Sequence, residues 1–347
     1  WGQGVMLPDG RFVSGVGDHR GADGRSWFYE YDPTTHTLTQ TTEVGESLGH
    51  RPGDWGYGKL HAPMVLDACD RVVTATYWGS RRGLELGGSY SGDHLIRYDP
   101  ATREVTSLGV PVEGYGLPSL AISPDRSTLF VEAVDPESDP DAGVFVVADA
   151  DTGAVLHTDD SADHTGFRDI LVTPEGDGLY ASGNGVAGLS PTGERVGAPG
   201  VFGGDAWFRS STPPAADGSV AITTRSPDAL WMRSPHGTFR DLGVVDDYVA
   251  ALALNSDGTT AYFVPGAHGN GAEFGTPLIA ADTATGTQDV VVRLNELIEP
   301  ALGIRVGGSY NVAVDEANRR VYVGLNGGDP AVEEVFGDVV LAVVEFD

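Results

Sequence analysis

A pair of short apolar strands joined by a tight turn recurs seven times along the chain, and this repeat constrains the fold more than any other feature. The pairs are GQGVMLPDGRFVSGVGD (2–18), HAPMVLDACDRVVTATYWG (61–79), SLAISPDRSTLFVEAVD (119–135), DILVTPEGDGLYASGNG (169–185), STPPAADGSVAITTRS (211–226), ALALNSDGTTAYFVPGA (251–267) and NVAVDEANRRVYVGLNG (311–327). Most of their turns contain Asp, Gly, Pro or Asn, which favour hairpin turns.

A third apolar strand follows each pair. These strands are WFYEYDP (27–33), HLIRYDP (94–100), VFVVADA (144–150), VAGLSPT (186–192), LWMRSPH (230–236), LIAADTA (278–284) and VLAVVEFD (340–347). A polar turn and a fourth strand follow the first six. Seven units in 347 residues give a period of about 50 residues, which is typical of a propeller blade. The sequence therefore predicts an all-β fold, a seven-bladed β-propeller with four-stranded antiparallel blades, as a single domain over 1–347.

The two ends of the chain leave the last blade open. The seventh unit stops at Asp347 after its third strand, and the first unit begins at Trp1 directly in its first strand. Either the last blade has three strands, or its missing strand precedes Trp1. The only short helix that we expect lies over 293–302.

Composition excludes several classes of partner. The net charge is −29, with Lys59 as the single lysine, and such an acidic surface repels nucleic acid and anionic membranes. No apolar run approaches the roughly 20 residues of a membrane-spanning helix. Cys69 is the one cysteine, so no intramolecular disulfide forms. We expect an extracellular or periplasmic location, although no signal sequence is present in the chain.

The blade connectivity sorts the loops into two ends. The loop before the first strand and the loop between the second and third strands open at the same end. Six of the nine histidines fall in these loops: His19, His50, His61, His94, His164 and His268. We therefore expect them at one end of the propeller.

Counting back from the hairpin turns places the first residues of the inner strands on a common level. These residues are Trp1, His61, Leu117, Phe167, Arg209, Val249 and Tyr310, with Lys59, Tyr115, Arg168, Tyr248 and Asn311 beside them. Trp78, Arg20, Arg225 and Asn326 come from the partner loops. The expected result is a funnel lined by His, Arg, Tyr and Trp on an acidic protein, suited to an anion with a ring-shaped body.

Eliminative cleavage of a uronate polymer would use His, Arg and Tyr side chains of this kind. A cation neutralises the carboxylate, a base removes the neighbouring C–H proton, and an acid protonates the departing oxygen. We assign catalysis to His61, His94, Arg209 and Tyr310. We assign substrate binding to Lys59, Trp78, His19, Arg20, Arg168 and Tyr115.

The same histidines allow a metal-based interpretation. Three or four imidazoles that converge on a propeller axis can hold Zn, Mn or Cu, and His164 and His268 are the candidate ligands. A GxSxG nucleophile elbow and a phosphate-binding GxxxxGK[ST] loop are absent from the sequence, which argues against those chemistries.

Six segments carry a resemblance to a known group. GDHRG (17–21), PGDWGYGKLH (52–61), TYWG (76–79), GDHLIRYDP (92–100), VPGAHGNGAEFGTP (264–277) and GGSYNVAVDE (307–316) resemble bacterial seven-bladed propellers. This group comprises polysaccharide lyases, among them ulvan and rhamnose–glucuronate lyases, and their glycosidase relatives. The resemblance implies His and Tyr catalysis on an acidic polysaccharide or oligosaccharide, Arg neutralisation of glucuronate, and a Ca or Zn ion in a structural part. The roles carry over to His61, His94, Arg209 and Tyr310.

Three alternatives stay open beside the lyase. A glycoside hydrolase acting on the same sugars would yield a product without a new double bond. A metal-dependent oxidoreductase or isomerase is favoured if His61, His164 and His268 meet at one ion. A non-catalytic binding propeller is favoured if Arg209 and Tyr310 are buried and paired.

Overall fold

A computed structural model describes residues 3–20, 23–77, 90–135, 143–160, 168–202, 206–332 and 335–346. Within these residues the strands form six four-stranded antiparallel sheets and one three-stranded sheet, each in sequence order. The chain folds as a seven-bladed β-propeller, as the repeat predicts. The last blade has three strands.

The chain divides into two compact units, Trp1–Gly200 and Val201–Asp347. The first unit contains four blades. Their strands are β1 (Gly4–Met6), β2 (Phe12–Gly17), β3 (Ser26–Asp32), β4 (Thr37–Glu43), β5 (Val65–Leu66), β6 (Val72–Ala75), β7 (Leu95–Asp99), β8 (Glu104–Gly109), β9 (Gly116–Ile122), β10 (Thr128–Val134), β11 (Gly143–Asp149), β12 (Val155–Asp159), β13 (Leu171–Val172), β14 (Gly178–Ser182), β15 (Gly185–Leu189) and β16 (Arg195–Ala198).

The second unit contains three blades. Their strands are β17 (Trp207–Ser211), β18 (Val220–Arg225), β19 (Ala229–Arg233), β20 (Phe239–Val244), β21 (Leu252–Leu254), β22 (Thr260–Phe263), β23 (Pro277–Asp282), β24 (Gln288–Arg293), β25 (Arg305–Asp315), β26 (Arg320–Gly328) and β27 (Asp338–Glu345). The assignment of one domain over 1–347 stays a prediction.

Helices are few and short in the described residues. The expected helix is present as α2 (Leu294–Leu302), whereas α1 (Val44–Ser47) and a 3₁₀ turn (Asn270–Phe274) are additional to the one helix that the sequence predicts. Both additional segments are too short to show a helical period in the sequence. No helix in the described ranges is long and apolar enough to cross a membrane.

The hydrophobic core is divided among layers between successive blades. Val73 and Leu95 of the second blade pack with Leu120 and Leu129 of the third, for example, and all four are at most 1% exposed. Side chains of a strand alternate between its two faces, so each inner strand supplies apolar residues to the blade before it and the blade after it. This arrangement explains why the strands are apolar on both faces.

The Asp-containing turns after the third strands are hydrogen-bonded in a recurrent way. Asp149 Oδ1 accepts from the backbone N–H of Thr152 at 2.8 Å, and Asp282 Oδ1 accepts from that of Thr285 at 2.7 Å. Hydrogen bonds to the ionised carboxylate lower the pKa of both Asp149 and Asp282. These aspartates fix the turn between the third and fourth strands.

Candidate functional site

His61 lies in the first unit, just before β5, where Leu60 forms an isolated bridge with Thr76. The imidazole is 5% exposed. Its Nδ1 lies 2.7 Å from the carbonyl oxygen of Pro118, and its Nε2 lies 2.8 Å from Nη1 of Arg168. Because a carbonyl only accepts and a guanidinium only donates, Nδ1 carries the proton and Nε2 presents its lone pair to Arg168. The structure thus brings together two predicted residues, a neutral imidazole and a cation.

Tyr77 and Lys59 complete this cluster. The rings of Tyr77 and His61 are 5.2 Å apart, and Nζ of Lys59 lies 5.0 Å from the centre of the Tyr77 ring. Burial raises the pKa of Tyr77 to about 12, against the opposing effect of the Arg168 charge. The Tyr77 hydroxyl is therefore protonated at neutral pH. We call Lys59, His61, Tyr77 and Arg168 the His61 cluster.

His19 joins the edge of the His61 cluster through its backbone and its electrostatics. Its N–H donates to the carbonyl oxygen of Gly58 at 2.8 Å, and the residue has a left-handed φ of 58°. Burial and the Lys59 charge lower the pKa of His19 to about 3, so its imidazole is neutral at physiological pH. A Cβ at Gly58 would lie 2.7 Å from the carbonyl oxygen of Arg20. The backbone at position 58 can therefore approach the backbone at position 20 only because residue 58 is a glycine.

His94 takes part in a different set of contacts. Its Nδ1 lies 2.9 Å from Oγ of Ser107, and its ring packs edge-on against Tyr57 at 5.2 Å. Burial lowers the pKa of His94. The preceding Asp93 is fully buried and accepts hydrogen bonds from Thr76 Oγ1 at 2.6 Å and Tyr90 Oη at 2.8 Å. These contacts hold the loop at Asp93 and His94 in place. The catalytic role of His94 stays a prediction.

The other substrate-binding predictions differ in exposure. Arg20 is exposed, and its backbone N–H donates to Asp18 Oδ1 at 2.9 Å. Tyr115 is half-buried, and its carbonyl oxygen accepts from the Asp93 N–H at 2.8 Å. Trp78 and His164 lie outside the described residues.

The second unit holds a separate aromatic and cationic cluster around Tyr248. The guanidinium carbons of Arg209 and Arg225 lie 5.1 and 4.9 Å from the Tyr248 ring centre. His268 lies 5.2 Å from the Tyr248 ring and 5.8 Å from the Tyr310 ring. Cations over aromatic faces gain from the ring quadrupole. Arg209, Arg225, Tyr248, His268 and Tyr310 form what we call the Tyr248 cluster.

Burial divides the Tyr248 cluster. Arg209 is 5% exposed, and Tyr248 and Tyr310 are each 4% exposed, whereas Arg225 and His268 are exposed. The Tyr248 hydroxyl and both side-chain polar atoms of the buried Asn311 have no hydrogen-bond partner among the described residues. Buried polar atoms without partners are rare in folded proteins. The second unit thus places buried Arg209, Tyr248 and Tyr310 beside the exposed side chains of Arg225 and His268.

The described residues do not assemble a metal centre. Across the part of the chain that the structure describes, no three His, Cys, Asp or Glu side chains are grouped to hold an ion. The two ring nitrogens of His61 face the Pro118 carbonyl oxygen and Arg168 Nη1. The candidate ligand His268 packs instead against Tyr248 and Tyr310.

Sequence reasoning missed Tyr77. The motif TYWG directs attention to Trp78, but the contact with His61 belongs to the residue before it. The alternation of side chains along a strand is the feature that could have indicated Tyr77. Thr76 pairs with Leu60, and adjacent residues of a strand point to opposite faces, so Tyr77 points to the face opposite that of Thr76. The carbonyl oxygen of Pro118 was unpredictable, since a backbone acceptor leaves no mark in the residue type.

Comparison with known proteins supports the fold and goes no further. No protein-family model matches the chain, and no curated protein matches it. Among solved structures, the chain is similar to a catalytically inactive His-to-Ala variant of virginiamycin B lyase from Staphylococcus aureus with quinupristin, at 7% identity and a TM-score of 0.59. The alignment covers 93% of this chain and 91% of that one. At this identity the similarity shows the fold alone, and the chain is a seven-bladed β-propeller.

Proposed function

We propose that the protein is a lyase that cleaves a uronate-containing polysaccharide by β-elimination, with rhamnose–glucuronate polymers as the substrate class. The observation that carries the proposal is the 2.8 Å contact between His61 Nε2 and Arg168 Nη1. It puts a base with a fixed tautomer beside a group that binds carboxylates in a planar, two-pronged manner. These are the two components that removal of a proton next to a carboxylate requires.

In this proposal Arg168 and Lys59 bind the uronate carboxylate. Neutralisation of the carboxylate makes the neighbouring C5–H more acidic. As the guanidinium turns to the carboxylate, it releases the lone pair of His61 Nε2. The Pro118 carbonyl keeps the proton on Nδ1 (2.7 Å), so Nε2 is the nitrogen that accepts the C5 proton.

The remaining bonds balance without a co-reactant. The electrons of the C5–H bond form the C4=C5 double bond, and the C4–O4 bond breaks. Tyr77, whose pKa burial raises to about 12, is protonated and supplies the proton to the departing oxygen. We assign this role to Tyr77 because its ring lies 5.2 Å from that of His61.

A non-catalytic binding propeller is the second candidate, and one observation favours it. Arg209 and Tyr310 are buried, at 5% and 4% exposure, and Arg209 lies 5.8 Å over the Tyr310 ring. Buried side chains of this kind more readily support the structure of a binding surface than act as catalytic residues. In this candidate the clusters recognise an acidic sugar and release it unchanged.

An absorbance assay tests the proposal. Purified protein is incubated with ulvan, gum arabic and pectin fragments, and the ultraviolet absorbance of the new double bond is followed. We expect a rise with at least one substrate, and its loss in His61→Ala. His36→Ala is the matched control, because His36 is exposed in the turn after β3 and contacts Tyr31 at 3.2 Å. Sugar binding without any rise would favour the binding propeller.

A further inference from the structure

Trp207 lies at the edge of the Tyr248 cluster, opposite one of its arginines. Trp207 of β17 and Arg225 of β18 are directly paired, so their side chains lie on the same face of this blade. The guanidinium of Arg225 lies 4.9 Å from the centre of the Tyr248 ring. Trp207 is 39% exposed, and its indole contacts no other aromatic ring in the parts of the chain that the structure describes. An exposed indole beside a cation provides a surface on which a ring can stack.

Two irregularities in the inner strands of this unit coincide with buried members of the Tyr248 cluster. The pairing of β17 with β18 shifts its register at Arg209, and the pairing of β25 with β26 shifts at Tyr310. A β-bulge redirects the side chain of the extra residue, and bulges are frequent beside functional sites. The guanidinium carbon of Arg209 lies 5.8 Å from the centre of the Tyr310 ring. The two strands thus depart from regular pairing at two residues that meet in this cluster.

The loop that carries His268 is held against its neighbours by backbone contacts. A Cβ at Gly308 of β25 would lie 2.4 Å from the carbonyl oxygen of Gly266, so the loop and the strand touch directly at this point. The N–H of Gly266 also donates to the carbonyl oxygen of Tyr248 at 3.1 Å. These contacts position the exposed His268 ring 5.2 Å from the Tyr248 ring and 5.8 Å from the Tyr310 ring. The aromatic part of the cluster is therefore organised by the fold.

Charge identifies the kind of ligand. The guanidinium carbons of Arg209 and Arg225 both lie about 5 Å from the centre of the Tyr248 ring in a chain of net charge −29, and two like charges at such a separation repel each other. Burial raises the pKa of Asp228, against the opposing effect of the Arg225 charge, but Arg225 forms no ion pair with any acid of the described residues. Arginine binds carboxylates through two parallel N–H donors. The exposed guanidinium of Arg225 is therefore the group that an incoming carboxylate would meet.

We propose that the second unit contains a binding site of its own, for a carboxylate carried on a six-membered ring, formed by Trp207, Arg225, Tyr248 and His268. Arg225 binds the carboxylate and Trp207 stacks on the ring. Arg209 and Tyr310, for which the sequence predicts catalysis, instead support the Tyr248 ring from the buried side. A sugar acid and an aromatic acid share this chemistry. The inference is independent of the lyase proposal, because the proposed elimination uses none of these residues.

Calorimetric titration tests the site with probes that separate ring from charge. Glucuronate and 4-hydroxybenzoate carry both, glucose and phenol are neutral rings, and acetate lacks the ring. The titrations use the full chain with Arg168→Gln, so that binding at the His61 cluster does not contribute. We expect at least one ring carboxylate to bind about tenfold more tightly than acetate and than its neutral counterpart, with an affinity that falls as salt rises. Binding of glucuronate alone would assign a sugar acid and binding of 4-hydroxybenzoate alone an aromatic acid, whereas no binding of either, or equal affinity for acetate, would overturn the proposal.

Two further substitutions locate the binding in the second unit. Arg225→Gln removes the charge and should weaken binding about tenfold, and Trp207→Ala removes the stacking surface and should weaken it about fivefold. Both side chains are exposed, so we expect little change in Tm. Arg240→Gln is the matched control, because Arg240 is an exposed arginine of β20 that donates to the carbonyl oxygen of Ala284 at 2.9 Å, and its affinity should equal that of the parent. Unchanged affinity in Arg225→Gln or in Trp207→Ala would overturn the proposal.

Discussion

His61 illustrates how two neighbours define the chemistry of one side chain. The Pro118 carbonyl at 2.7 Å fixes the proton on Nδ1, and Arg168 at 2.8 Å faces the lone pair of Nε2. An imidazole in water samples both tautomers, whereas this one is held in a single tautomer. The two neighbours therefore fix the tautomer of His61.

Replacement of Arg168 by lysine separates charge from geometry. Lysine keeps the positive charge but loses the planar fork, which contacts His61 Nε2 through Nη1 and which binds the substrate carboxylate in the proposed mechanism. We expect kcat/KM on the acidic polymer to fall about 10- to 100-fold, equivalent to roughly 1–3 kcal/mol, with little change in Tm. Arg126→Lys is the control, because Arg126 forms an exposed pair with Asp70. Unchanged kinetics in Arg168→Lys would remove this guanidinium from the site.

His19 makes folding stability depend on pH in a defined window. Burial and Lys59 lower its folded pKa from 6.5 to about 3. Between these values the unfolded chain binds a proton that the folded chain does not, so stability falls as the pH drops below 6.5. The slope from this group is at most about 1.4 kcal/mol per pH unit.

The variant His19→Asn tests this linkage, since Asn tolerates the left-handed φ of 58°. Urea unfolding between pH 6.5 and about 4.5 should show a shallower loss of stability than in the parent protein. The slopes are compared in the upper part of this window, above about pH 5.5, where ordinary Asp and Glu side chains stay ionised. His94, whose pKa burial also lowers, accounts for part of the remaining slope. An unchanged slope would show that His19 is already protonated in the folded state or solvated like the unfolded chain.

Residue type in this chain predicts the candidates for a site better than it predicts their contacts. His61 and Arg168 were both predicted, yet they are 107 positions apart, and their contact depends on the placement of two blades. Tyr77 was hidden beside the more conspicuous Trp78. Pro118 contributes a backbone atom, which composition and spacing do not reveal.

At the level of elements, the turns after the third strands reverse the chain and also pack against the preceding blade. A Cβ at Gly153 would lie 2.3 Å from the carbonyl oxygen of Leu108, and one at Gly286 would lie 2.4 Å from that of Leu242. Both glycines have positive φ, 73° and 77°. Each turn therefore packs directly on the fourth strand of the preceding blade.

Gly153→Ala should destabilise the protein strongly. The positive φ costs roughly 1–2 kcal/mol for an L side chain, and the clash with Leu108 adds about 1–3 kcal/mol. Gly183→Ala is the matched control, because Gly183 has a φ of 54° and nothing within 4 Å of its Cβ position. We expect a clearly larger loss of unfolding free energy for Gly153→Ala in urea titrations. Equal losses of unfolding free energy would mean that the backbone near Leu108 moves to accommodate the methyl group without a measurable loss of stability.

Neighbouring blades of the first unit are also linked by a buried charge. Glu30 of β3 is 2% exposed and accepts from Arg11 at 3.0 Å, Arg103 at 2.9 Å and Tyr98 at 2.7 Å. Arg103 lies in the turn before β8 of the next blade. The carboxylate therefore fastens one blade to the next through charge-assisted hydrogen bonds.

Glu30→Ala removes the acceptor of Arg11, Arg103 and Tyr98, and we expect a loss of about 1–3 kcal/mol, because both guanidinium groups keep access to water. Asp9→Asn is the control, because Asp9 is 53% exposed in its pair with Arg11 and such pairs contribute about 1 kcal/mol or less. Thermal unfolding of both variants measures the difference. A small loss for Glu30→Ala would show that water or another residue replaces the carboxylate.

At the scale of the whole molecule, the repeat made the fold predictable from the sequence. Seven strand triplets with Asp-containing turns define seven sheets, and the third strands begin and end within a few residues of their predicted bounds. A last blade of three strands was one of the two arrangements that the sequence predicted. The repeat does not predict the substrate in the same way. A propeller fold supports many functions, and the specificity of a site depends on contacts that no local sequence pattern encodes.

The measurement that tests the lyase proposal most directly is cleavage of an acidic polysaccharide in water labelled with heavy oxygen, with mass analysis of the fragments. Elimination breaks the C4–O4 bond without water, so we predict unsaturated fragments that contain no heavy oxygen and are lighter by one water than hydrolysis products. His61→Ala should yield none. Fragments that incorporate heavy oxygen would identify a hydrolase and contradict the elimination mechanism that we assign to His61, Arg168 and Tyr77.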